Sequence, residues 1–119
     1  MKIANKNARE FVQRQHPFEG SNLWAQYFCV NSKDPSPGQS GYVVYSYGVH
    51  YPMLAAVHIN GQDHWFANKD KYSPSTSRHM QQCRPEAPLN WLSTVWMIHL
   101  VSCGYIAIVK DRILEGVAA

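Results

Sequence analysis

The chain has 119 residues, 45% of them apolar and 16% charged, with 11 Lys and Arg against 8 Asp and Glu. That length holds one domain, and four Trp, seven Tyr and four Phe exclude disorder over most of it, because large apolar side chains offset chain entropy. A formal net charge of +3 permits an acidic partner without requiring one.

Met1 to Lys6 carries charges with no apolar run behind them, so it does not read as a signal peptide. Ala4, Ala8, Phe11, Val12 and Gln15 recur at helical spacing, with Asn7 and Glu10 placed as a capping box. An N-terminal amphipathic helix is therefore expected to end before His16-Pro17. Leu23 to Val30 is rich in strand formers, and Asn31 to Ser40, with Pro35, Pro37 and Gly38, reads as a loop. Tyr42 to Tyr47 reads as a strand.

Asn60-Gly61 lies between two extended runs and is the strongest hairpin signal in the chain, since both turn residues need positive φ. A two-residue turn sets Ile59 opposite Gln62, His58 opposite Asp63, Val57 opposite His64, Ala56 opposite Trp65, and Ala55 opposite Phe66. One face then carries Met53, Ala55, Val57 and Phe66 as a core surface. The other carries Leu54, Ala56, Trp65 and the His58–Asp63 pair.

Beyond a polar turn at 68–72, Ser73 is suited to cap a short helix that Pro74 opens and Arg84-Pro85 stops, giving a helix through Gln82. Leu89, Leu92, Trp96, Leu100 and Cys103 mark one stripe of the longest expected helix, with His99 read as a core histidine and Gly104 at its end. Tyr105 to Val109 reads as a final strand and Lys110 to Ala119 as a polar tail or short helix. No Asp, Glu, Lys or Arg lies between Glu86 and Lys110, a stretch long enough to span a bilayer. Its scattered polar residues and the change of pattern at Gly104 argue instead for a buried helix followed by a buried strand. The expected fold is α+β: a mostly antiparallel sheet of about four strands on one long helix, with an N-terminal helix and a short helix after the hairpin.

Cys29, Cys83 and Cys103 are odd in number and form no CxxC, which fits reduced thiols in a cytoplasmic protein better than a disulfide scaffold. His79 and Cys83 share a helical face, but a zinc site lacks its other two ligands. No nucleophile-elbow motif and no Gly-rich phosphate loop occurs. Two histidines with Arg or Lys, such as His50 and His79 with Arg78, offer an acid–base set for phosphodiester cleavage, which makes a small His-dependent nuclease or transferase an alternative, with nothing to fix its geometry. No cofactor is implied, and a binding protein is favoured over an enzyme.

The charge itself is localised. Between His64 and Arg84, Lys69, Lys71, Arg78 and Arg84 face only Asp70, while the rest of the chain holds seven residues of each sign. The same segment holds Trp65, Asn68, Tyr72, Ser75, Thr76, Ser77 and His79. Cations, hydroxyls at a helix start and aromatic rings are what phosphate or carboxylate recognition requires. The alternative is a solvated turn and helix face whose serines serve only as caps. Tyr47, His50 and Tyr51, at a strand end, join the candidate surface if the hairpin folds back beside it.

Ser46-Tyr47-Gly48-x-His50-x-Pro52, then Trp65-Phe66-x-Asn68-x-Asp70-Lys71-Tyr72-Ser73, then Thr76-Ser77-Arg78-His79 with Arg84-Pro85, resembles a family of small uncharacterised phage and plasmid proteins over residues 41–85. The resemblance implies a mobile-element protein acting in a bacterial host cytoplasm. By analogy, it implies an inhibitor or modulator of host machinery of the anti-CRISPR kind. The expected partner is a host protein or protein–nucleic-acid complex, with direct binding of DNA or RNA as the alternative.

Overall fold

The computed structural model describes residues 2–29, 40–59, 62–70 and 74–101. Its centre is the expected hairpin. β4 (Pro52–Ile59) and β5 (Gln62–Asn68) pair antiparallel with Ile59 opposite Gln62, His58 opposite Asp63 and Ala55 opposite Phe66. The turn residues Asn60 and Gly61 lie outside the described residues, but the register on either side is that of a two-residue connection.

Sheet growth on one side is antiparallel throughout. β3 (Ser40–Ser46) pairs with β4, β2 (Leu23–Cys29) with β3, and the short β1 (Phe18–Glu19) with β2. On the other side β6 (Leu89–Leu92) adds to β5 in parallel, so the strands follow one another in sequence order across a six-stranded mixed sheet. Where Val44 pairs with Leu54 and Tyr45 with Pro52, Met53 is left over in a bulge. Met53 therefore packs with Leu54 and Ala56, not with Ala55 and Val57 as strict alternation predicts.

Both faces of the central strands are buried. Leu23, Tyr42, Val44, Leu54, Ala56 and Trp65 face α1 (Ala8–Gln13) and α2 (Pro74–Cys83), which contribute Ala8, Val12 and Cys83 to the same cluster. Val43, Tyr45, Ala55, Val57 and Phe66 face α3 (Thr94–His99) through Met97 and Leu100. Cys83 is a free thiol in this core, and burial pushes its pKa up to about 12. The Cys29 side chain and Cys103 lie outside the described residues.

Among the described residues, the expected four strands on one long helix are corrected to six strands and three short helices. Leu89 and Leu92 suit a helical stripe, but Leu89 to Leu92 is extended and hydrogen-bonded along β5, and the helix starts only at Thr94. Its buried residues are Met97 and Leu100, while Trp96 and His99, assigned to the core by periodicity, are exposed. At the N-terminus a 3-10 turn over Asn5–Asn7 precedes α1, and Asn7 makes no side-chain cap, so the capping box does not form. The loop after Val30, the segment 71–73 and the expected final strand and tail lie outside the described residues. Among the described residues no helix is long and apolar enough to cross a membrane.

Gly41 marks the tightest point of the sheet. A Cβ there would stand 2.7 Å from the Ala56 carbonyl oxygen and against the Phe28 ring, and the backbone oxygen has nowhere to go. Gly41→Ala is therefore expected to destabilise the fold by about 1–3 kcal/mol in urea unfolding. Gly48→Ala would meet only the exposed His50 ring, and its expected cost is below about 0.5 kcal/mol. Equal costs for the two would show that Gly41 is not a packing constraint.

Candidate functional site

Asn68, the last residue of β5, is the polar knot from which the site is built. It is buried, and its Nδ2 donates to the Pro52 carbonyl and to Thr94 Oγ1, each at 3.0 Å. Its Oδ1 accepts the Asp70 N–H at 2.8 Å, an Asx turn that directs the chain off the sheet. Asp70 in turn accepts the Thr94 N–H at 2.8 Å on Oδ2, which fixes the start of α3, and its carbonyl accepts the Tyr51 hydroxyl. The Thr94 N–H and hydroxyl hold the Asp70 carboxyl below its ordinary pKa, with a smaller contribution from Lys69.

Above this knot a cleft of about 210 Å³ opens between α2 and the β5–β6 edge. Ser77, Gln81 and, just past the helix end, Arg84 come from the α2 side at helical spacing, and Trp91 from β6 faces them. The Arg84 guanidinium lies 5.9 Å from the Trp91 ring centroid. Among the described residues no carboxylate lies within ion-pair distance of it. Trp91 is 48% exposed, so the pair forms an accessible lip.

A larger depression of about 500 Å³ runs along α1, lined by Lys6, Arg9, Glu10, Arg14 and Glu86 among others. Two of its three cations are already engaged. Arg9 donates to the Gln81 carbonyl at 2.7 Å, closing the end of α2, and Arg14 lies 3.7 Å from Glu10. That surface is a helix–helix seam, and the α2–β6 cleft is the better candidate.

The residues drawn from sequence separate into groups. Asn68, Thr76, Ser77 and Arg84 line the cleft. Trp65 is buried, its ring edge-on to Tyr42 at 6.3 Å. Lys69 and Arg78 are exposed, and Ser75 is half-buried. Tyr47 is half-exposed with its ring stacked on buried His79, and His50 is exposed against Gly48. His79 faces Ser46 while Cys83 is in the core, and among the described residues no three His, Cys, Asp or Glu side chains gather to hold a metal. Lys71 and Tyr72 lie outside the described residues. Tyr51, expected to join the basic segment, does line the cleft, and Asp70, Met80, Gln81 and Trp91 complete it; only the pairing of β6 with β5 brings Trp91 there.

Set beside known proteins, the chain matches no family model, no curated protein and no solved structure.

Because the folded state holds Asp70 ionised more strongly than the unfolded chain does, its contribution to stability is full above about pH 4 and fades as pH falls below that. Asp70→Asn is expected to flatten this acid limb in urea midpoints measured between about pH 5 and pH 2. A variant that declines as steeply as the parent would remove Asp70 as the anchor of α3.

Proposed function

We propose that the chain is a non-catalytic docking protein that engages an acidic partner protein through the α2–β6 cleft. The observation that supports this most is the Arg84–Trp91 pair, a cation 5.9 Å from the centroid of an exposed indole and with no ion-pair partner among the described residues. A cation–π contact of this kind uses none of the guanidinium N–H donors, so they stay available to a carboxylate. Arg and Trp are the residue types that anchor protein interfaces. The cleft, at about 210 Å³, is smaller than most sites for small ligands and suits one protruding side chain of a partner.

A protein is favoured over a nucleic acid because Arg84 is, among the described residues, the one cation lining the cleft, which suits a single carboxylate, whereas a phosphate backbone is held by several spaced cations. The likeness of residues 41–85 to phage and plasmid proteins extends the proposal to inhibition or modulation of a host machine. That step rests on the likeness alone.

A photoreactive amino acid at Gln81 places the cross-linker in the cleft and reports the chemical nature of whatever is captured from a bacterial lysate. The expected result is a protein adduct that Arg84→Glu and Trp91→Ala each reduce at least about tenfold, as for anchor residues. Thermal midpoints should remain within about 2 °C, because both side chains are exposed. A protein adduct indifferent to both substitutions would overturn the proposal. A nucleic-acid adduct whose yield falls steeply with salt would replace it with direct DNA or RNA binding.

A further inference from the structure

On the flank of α2 away from the cleft, a histidine holds a strained loop in place. His79 is 6% exposed, with Nδ1 2.7 Å from Oγ of Ser46, which is fully buried. Over the imidazole lies the Tyr47 ring, at a centroid distance of 5.4 Å and an interplanar angle of 25°. Tyr47 has φ 69°, in the left-handed region that side chains with a Cβ rarely adopt, and its N–H donates to the Asn22 carbonyl at 2.9 Å. Such a conformation persists only where surrounding contacts over-determine it. Here the contacts are the ring stack and the Asn22 bond. The loop closes with the Tyr51 N–H on the Gly48 carbonyl at 3.1 Å, leaving Val49 and His50 exposed at its tip.

The groups facing His79 are the Ser46 hydroxyl from β3, the Tyr47 ring from the loop and, on α2 itself, the Arg78 cation. Among the described residues no carboxylate lies within ion-pair distance of it. A proton added to this ring therefore gains no counter-charge, and it gains water only if the Tyr47 ring lifts away.

We propose that Ser46, Tyr47 and His79 form an acid-released latch: neutral His79 clamps the 47–50 loop against α2, and protonated His79 lets it open. Burial, and secondarily Arg78, hold the His79 pKa below its ordinary value in the closed state. Opening restores the ordinary value of about 6.5 and takes up a proton, so acid favours the open loop. Between pH 7.5 and pH 5.5 the opening equilibrium then rises, with a ceiling of about tenfold set by the ordinary value. The latch does not depend on the docking proposal, since its residues lie outside the cleft.

Hydrogen exchange at the hydrogen-bonded amides of Tyr47 and Tyr51, corrected for intrinsic rates, measures the opening. Protection should drop severalfold, up to about tenfold, from pH 7.5 to pH 5.5 in the parent and in His50→Gln, and stay level in His79→Gln. A level parent, a drop that survives His79→Gln, or one abolished by His50→Gln would overturn the latch. Should His79→Gln fail to fold, Tyr47→Gly suits the left-handed backbone and removes only the ring. The His79 imidazole resonances of that variant should then titrate closer to the ordinary histidine value, and an unmoved titration would equally overturn it.

Discussion

The structure depends on burying both faces of the β4–β5 hairpin. Leu54, Ala56 and Trp65 point to one side, Ala55, Val57 and Phe66 to the other, and all are at most 4% exposed. A hairpin apolar on both faces is not stable alone and needs neighbours in its plane as well as layers above and below it. β3 and β6 satisfy the edges. The apolar C-terminal stretch is divided by the same demand, so that Leu92 ends a strand while Met97 and Leu100 roof the second face.

That division explains what was legible in the sequence and what was not. The hairpin register was legible because Asn60-Gly61 fixes it through local turn geometry. The start of α2 at Pro74 was legible because proline suits a first helical position. The long helix was misread because Leu89, Leu92, Trp96 and Leu100 satisfy helical spacing, whereas β6 is specified by a partner strand more than twenty residues earlier in the chain. Trp65 and Asn68 looked like surface groups beside lysines. Alternation alone does not reveal that the second face of a strand is also covered.

The same gap between sequence and space reshapes the site. Four cations within a short segment suggest a strip, yet Lys71 lies outside the described residues, and of the other three only Arg84 lines the cleft while Lys69 and Arg78 are exposed elsewhere. Arg84 gains its setting from Trp91, seven positions on, because β6 runs parallel to β5 and returns the indole beside the end of α2. Asp70, which by charge counting only subtracts from the strip, ties β5 to α3 and so positions the cleft.

α2 is the element on which both proposals meet, and its packing shows why. Of its buried residues only Cys83 is apolar; Thr76 and His79 are polar. α3, by contrast, meets the sheet through Met97 and Leu100. Apolar contacts are non-directional and resist separation over a broad area, whereas a seat built partly on Ser46–His79 and Arg9–Gln81 hydrogen bonds depends on geometry and protonation. The sheet and α3 can therefore stay closed while the contacts of α2 are adjusted. A binding cleft with one wall on such a helix combines a rigid side, carrying Trp91, with a side that can adapt to what it meets.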